Sequence, residues 1–468
     1  MRRQVSRSEP KASGGHEGAT EGRAQRGEAC EGHQVVVAPI HIDDLSEPRL
    51  PFALRALNAL GGPIARWVLS LDPEDLLAAA SARTGLTDYG DPSFREPLAV
   101  LLEAFEHDAD LSAVGRISAR GLVLQLLANR LRIEDLFRQH PEIEEERIER
   151  PIIIAGLPRT GTTHLHNLIS QDPSLRSLPY WESLEPVPDP REAPRAASLA
   201  PRAEDGRRPA GWRDPRVVRC EKALTFLHRV MPLFPLMHEM TEDARHEEIQ
   251  LLAIAFSTML FESSYQVPSY AAWYKRSDQR PAYRYLRRCL QALQWLRGPK
   301  RWVLKSPQHL EQQAALIEIF PDAAFVQTHR DPVRITASLC TMIAYGSRMN
   351  ARRVDPVKIG RYWAARTEDL LRGSIEGRAA LPPAQVIDVH FRQFMKDDMA
   401  TAERVLAFAG HPVSGEARAA IRKFMDANPR GKHGTIDYRL EDVGLDYAER
   451  RAALRFYRDH FDVEEEPA

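Results

Sequence analysis

From about residue 40 to 148 the apolar positions of the chain recur at three- and four-residue spacing. In Gly121-Leu-Val-Leu-Gln-Leu-Leu-Ala-Asn-Arg-Leu-Arg-Ile133 that spacing predicts an amphipathic helix, and Asp72-Pro-Glu-Asp75 reads as a helix start with proline in the first turn. At Pro151-Ile-Ile-Ile-Ala155 the helical period disappears. A short, continuous β-branched run replaces it, as expected for a strand covered on both faces of a parallel sheet. Trp302-Val-Leu304, Ala324-Phe-Val-Gln-Thr328 and Val386-Ile-Asp-Val389 repeat the pattern. The first three of these four runs lead into polar residues and then a helical pattern. The predicted class is therefore α/β: a P-loop-like parallel β-sheet flanked by helices, preceded by an N-terminal helical region over 35–148. Within the second part, 149–468, the stretch Glu247 to Tyr265 predicts one long amphipathic helix with Leu252, Phe256, Met259 and Leu260 on one side.

Two segments fit neither pattern. Residues 1–34 contain no Leu, Ile, Phe, Trp or Tyr and mix six Lys/Arg with five Glu, so they bury too little surface to offset ordering entropy and are expected to be a disordered tail. Residues 186–216 hold seven prolines and many arginines, the composition of an irregular insertion or a lid. Over all 468 residues, 64 basic side chains balance 65 acidic ones, which argues against nucleic acid as a partner. The four cysteines form no C-x-x-C pair or compact framework, so reduced thiols are expected. No apolar run reaches the roughly 18 residues of a transmembrane helix and the N-terminus lacks a secretory core, so the expected location is cytoplasmic.

Three stations carry candidate chemistry. The stretch "AGLPRTGTT" after the first strand has the frame of a phosphate loop, with Gly156 and Gly161 five apart, but Thr162 stands where G-x-x-x-x-G-K-[ST] has lysine. Phosphoryl transfer from ATP through the usual constellation is thereby disfavoured, and Arg159 supplies a fork-shaped cation instead. Lys305 lies just past the end of a strand, where α/β active-site residues collect. Arg330 ends the next strand, and Ser338 lies two turns into the helix after Asp331-Pro332, so the pair can converge on a further anionic group. Alone, the loop is equally compatible with an incidental strand-to-helix turn, and Lys305 reads more simply as a surface lysine before a turn. Together, two anion sites imply a nucleotide phosphorylated at two places.

In this order, "PRTGTT", "WVLKSP" and "THRDPVRITAS" resemble the sulfotransferases that use 3′-phosphoadenosine 5′-phosphosulfate (PAPS), in particular the bacterial branch related to tyrosylprotein and carbohydrate enzymes. The resemblance runs from about 150 to 345, with a weaker match in Gly431-Lys-His-Gly-Thr-Ile-Asp-Tyr-Arg-Leu-Glu-Asp-Val-Gly-Leu445. It implies that Arg159, Thr160, Gly161, Thr162 and Thr163 bind the 5′-phosphosulfate and that Arg330 and Ser338 hold the 3′-phosphate. It also places Lys305 near the transferring sulfonate and Lys432 in a basic segment closing over the nucleotide. The implied reaction is an in-line sulfonate transfer to the hydroxyl of a small-molecule, lipid or glycan acceptor, without a metal.

A general base is then required. The histidine that cytosolic members carry two residues after a lysine is replaced here by Pro307. The carbohydrate and tyrosylprotein branches use a glutamate after the loop helix, which points to Glu182 in Ser177-Leu-Pro-Tyr-Trp-Glu182, with its carboxyl raised by desolvation. Glu185 is the neighbouring alternative and His309 the third. His238-Glu-Met-Thr-Glu242 lacks the second histidine of H-E-x-x-H, so no zinc site is expected and the segment reads as a solvated helix end. The aromatic run Phe261 to Tyr274, including Trp273, is a candidate acceptor lining or plain core. The competing functions are a P-loop kinase or ATPase and a catalytically silent nucleotide-binding protein.

Overall fold

The computed structural model describes residues 39–192, 213–429 and 436–466. The expected tail, the middle of the 186–216 insertion and Lys432 lie outside the described residues.

The strands are β1 (Ile40–His41), β2 (Ile152–Ala155), β3 (Leu175–Arg176), β4 (Leu178–Pro179), β5 (Arg245–His246), β6 (Arg301–Lys305), β7 (Ala324–His329), β8 (Val386–His390) and β9 (Ile436–Asp437). Five form the central sheet in the order β3-β6-β2-β7-β8, all parallel. All four predicted runs are strands of this sheet. The edge strand β3, only two residues long, has no run of its own to announce it. β2 is central, with Ile154 opposite Lys305 on one side and opposite Val326 on the other. Chain connections therefore diverge to left and right of β2, and its carboxyl end opens into the crevice where such sheets bind ligands.

Alternate residues of β2 serve two cores. Ile152 and Ile154 pack with Leu165, Leu168, Val303, Val326 and Phe394, while Ile153 and Ala155 face a larger cluster with Leu304 and Phe325. The N-terminal helices α1 (Phe52–Val68), α2 (Pro73–Thr84), α3 (Arg95–His107) and α4 (Ala113–Gln139) share that larger cluster through Leu76, Leu101 and Leu127. Asp72 caps α2 as its sequence suggests, accepting hydrogen bonds from the amides of Glu74 and Asp75.

The long helix expected over Glu247–Tyr265 is absent. It breaks into Ile249–Leu252, a 3₁₀ turn at Ala253–Ala255 and Leu260–Ser264, with Phe256 left-handed at φ 57°. The break is buried but satisfied: Tyr270 donates its hydroxyl to the Phe256 carbonyl, and the Gln308 side-chain oxygen accepts from Thr258 Oγ1 and the Met259 amide. Helical spacing of apolar residues is therefore accidental here, because most of the segment is buried. The following aromatics are core rather than a pocket lining: Tyr270 and Tyr274 are fully buried, and Trp273 donates to Glu96 of α3.

Candidate active site

The loop after β2 is shaped by contacts that exclude larger side chains. A Cβ on Gly156 would lie 2.0 Å from Thr328 Oγ1 on β7, so glycine is required for the loop to leave the sheet. Thr160 then staples the loop from inside, donating to the Leu157 carbonyl at 2.7 Å and meeting Thr328 Oγ1 at 2.6 Å. Its hydroxyl is thus occupied within the fold. Gly161, at φ 89°, caps α5 (Thr162–Ile169), whose first amides have no helical partners, an end that can receive an anion. Arg159 is also left-handed, at φ 71°, a conformation costing roughly 1 kcal/mol or more in a non-glycine residue. It projects as an exposed side chain whose Nη1 donates to the Met237 carbonyl at 3.0 Å.

Lys305 ends β6 beside this loop. It is 2% exposed, with Nζ 2.5 Å from Glu247 Oε1 and 3.5 Å from Thr163 Oγ1. Its own amide donates to Glu248 Oε2 at 2.9 Å, so consecutive glutamates after β5 hold the lysine at both ends. Burial pushes the Glu247 carboxyl up, but Lys305 outweighs it and leaves the carboxyl below its usual range, hence ionised. Two imidazoles stand next to it. Burial, with His238 and Lys305 also opposing the charge, pushes His246 down to about 3, so it is neutral at any physiological pH. His238 is lowered for the same reasons, burial first and Lys305 next. It caps the C-terminus of the helix Phe234–Met237, so the segment is the helix end expected from the sequence, with Glu239 and Thr241 exposed and only Met240 buried.

The third station also lands here. Arg330, at the end of β7, donates Nη1 to the carbonyl of Arg159 at 2.9 Å, so the two arginines are brought together. Its Nε and Nη2 form a two-point pair with Glu466 at 2.7 and 2.8 Å, and the guanidinium lies 4.0 Å above the Phe391 ring. Asp331 caps the helix Pro332–Ser347 that carries the buried Ser338.

The expected base is held by two arginines. Glu182, in α6 (Tyr180–Leu184), is buried with Oε2 on Arg176 at 2.9 Å and Oε1 on Arg297 at 3.0 Å. Burial alone would raise its carboxyl, as the sequence reasoning held, but the arginines reverse the shift and lower it. Glu185 is paired with Arg219 through both oxygens. His309 is fully buried between Glu248 and the Tyr283 hydroxyl, so it braces the glutamate that receives the Lys305 amide. Glu247 is the carboxylate that meets Lys305, although its apolar neighbours predict a place in a long helix. The available signal was the charged triplet His246-Glu-Glu248 at the head of an apolar run, where unpaired charge is expensive to bury.

Among the described residues no cluster of three or more His, Cys, Asp or Glu is placed to hold a metal, and no helix is long and apolar enough to cross a membrane. Residues 151–415, more than half of the chain, match the sulfotransferase family. No curated protein matches the chain. Among solved structures, the sulfotransferase STF1 from Mycobacterium tuberculosis H37Rv is 30% identical, over 82% of this chain and 98% of its own, with a TM-score of 0.69. The sulfotransferase STF9 from Mycobacterium avium is 27% identical, over 85% and 99%, with a TM-score of 0.74.

Proposed function

The chain belongs to the sulfotransferase family, and from that premise we propose that it moves the sulfonate of PAPS to the hydroxyl of a small-molecule, lipid or glycan acceptor, with Glu247 as the general base. The observation that carries this reading is the contact chain Thr163, Lys305, Glu247, which joins a phosphate loop lacking its lysine to a buried cation and an ionised carboxylate.

The residues present fit such a donor. The α5 amides with Thr162, Thr163 and Arg159 form one anion site, and Arg330, with Ser338 on the next helix, supplies the second. The donor contributes the transferring group: the bond from sulfur to the acceptor oxygen forms as the bond to the bridging phosphate oxygen breaks, and the electron pair stays with phosphate. Lys305 and Arg159 neutralise the charge that builds there, as preorganised donors do, the lysine from a buried position. Glu247 takes the acceptor proton. When Lys305 turns toward the leaving oxygen, Glu247 loses its counter-ion and becomes more basic at the moment the proton must be taken. This coupling makes the lysine and the carboxylate one unit.

Rings next to Glu247 and its neighbours support an acceptor of apolar or planar body. Tyr180 packs on His246 with centroids 4.4 Å apart, and Phe234 stacks on His238 at 6.2 Å. Ring faces pack well against such a body. Titration calorimetry tests the donor: adenosine 3′,5′-bisphosphate is expected to bind tightly without magnesium and ATP weakly. The opposite order would overturn the reading in favour of a P-loop kinase or ATPase. Turnover of labelled donor over a panel of hydroxyl acceptors separates an enzyme from a silent nucleotide-binding protein.

A further inference from the structure

α1 is amphipathic in the reverse sense for a surface helix. Its narrow packed side carries Leu54, Asn58, Gly61 and Ala65: Leu54 touches the main core, Ala65 is buried, and Asn58 accepts a hydrogen bond from the Val114 amide of α4 at 3.0 Å. Gly61 lets the helices close, since a Cβ there would lie 3.3 Å from that of Ala113. The other side is apolar and faces solvent. Trp67 is 89% exposed, Leu60 78% and Phe52 77%, with Ile64 and Val68 also more than half exposed. At about 100° per residue these five and Leu57 fall within one arc of roughly 160°. Scattered apolar residues on a surface need no explanation, but a contiguous stripe of this size marks an interaction site.

We propose that this face of α1 seats the protein on a lipid bilayer surface, with the helix lying in the plane of the interface. Charge selects this occupant. α1 carries Arg55 and Arg66 and no Asp or Glu; Arg66 Nε lies 4.0 Å from Glu106 of α3, a carboxylate held more closely by Arg116, and both arginines fall at one border of the apolar arc, where guanidiniums reach lipid phosphates while the rings and branched chains enter the acyl boundary. A second copy meeting this helix face to face would set arginines against arginines with no acidic partner on the helix. The segments outside the described residues are poor in large apolar side chains: apart from Val35-Val36-Val37, residues 1–38 hold no branched or aromatic apolar residue beyond Val5, and 193–212 hold only Leu199 and Trp212. The inference does not depend on the sulfonate chemistry.

Co-sedimentation of the full chain with phosphatidylcholine vesicles, with and without roughly one third phosphatidylglycerol, tests it. The wild type is expected to sediment with both and more strongly with the anionic mixture. The triple variant Leu60→Ser, Ile64→Ser, Trp67→Ser should lose at least about ten-fold of the partitioning to either. Arg55→Gln with Arg66→Gln should remove only the anionic increment and its salt dependence. All the altered side chains are exposed, so folding is expected to survive, checked by an unchanged unfolding temperature. Failure of the wild type to bind either vesicle, or equal binding by the triple variant, overturns the proposal. So does a wild-type dimer in light scattering that the triple variant converts to monomer without any vesicle binding.

Discussion

Arg330 can serve a phosphate only by giving up Glu466, which makes the affinity of the donor site open to a simple perturbation. Two of the arginine's nitrogens hold the Glu466 oxygens at 2.7 and 2.8 Å, and a third donates to the Arg159 carbonyl at 2.9 Å. Glu466 is itself anchored, its amide donating to Asp331 Oδ2 at 2.8 Å. An incoming 3′-phosphate therefore competes with a carboxylate already seated in two-point geometry. Both side chains retain some exposure, so the pair is worth about 1 kcal/mol, the upper end for solvent-accessible pairs, rather than the several of a fully buried one. Replacing Glu466 with Gln removes the competing charge, and at 1.4 kcal/mol per decade adenosine 3′,5′-bisphosphate should bind about five-fold more tightly. AMP, which lacks the 3′-phosphate, should bind as before, and added salt should narrow the difference. Calorimetric titration of both nucleotides into both proteins gives the answer. An equal gain for AMP, or weaker binding of the bisphosphate, would refute the reasoning that Arg330 receives the 3′-phosphate.

Glu247→Gln is expected to lower kcat by about two to four orders of magnitude with little change in bisphosphate Kd, and the acid limb of the wild-type kcat/KM, which reports the free enzyme, should lie below the usual glutamate range because Lys305 holds the carboxyl down there. Glu182→Gln should instead keep turnover and lower the unfolding temperature, since two arginines lose their shared charge. Lost turnover at an unchanged unfolding temperature would return the base role to Glu182. Gly156→Ala should displace the loop and cost at least about ten-fold in bisphosphate affinity, because the added methyl meets Thr328 Oγ1 at 2.0 Å. Burial raises the Asp388 carboxyl, but His329 and Arg378 outweigh it and hold the group well below its usual range. Its folded pKa is thus below the unfolded value of about 3.9, so its contribution to stability is full above roughly pH 4 and lost as pH falls through the folded pKa. Asp388→Asn should accordingly lower the unfolding temperature at pH 7 and flatten its acid dependence.

The elements legible in the chain were those whose cause is local. A strand covered on both faces has to be continuously apolar, so β2, β6, β7 and β8 could be read directly, and a loop that leaves β2 under Thr328 has to carry glycine. The same holds for Asp72 at the start of α2 and Asp331 before Ser338, where a cap depends on neighbours two or three residues away. What the sequence left open depends on partners far along the chain. Lys305 and Glu247 are separated by 58 positions, and Arg330 and Glu466 by 136. No spacing rule links such residues, so the identity of the carboxylate beside the lysine was decided only by tertiary packing. Glu182 followed the expected register yet was turned onto Arg176 and Arg297. The direction in which an amphipathic helix faces is likewise a tertiary property. The periodicity of α1 is plain in its residues, but α4 holds its small and polar side inward and leaves the apolar side in water. Local chemistry thus determined which elements form and which groups can carry charge, while long-range packing decided which charges meet and which apolar face is left uncovered.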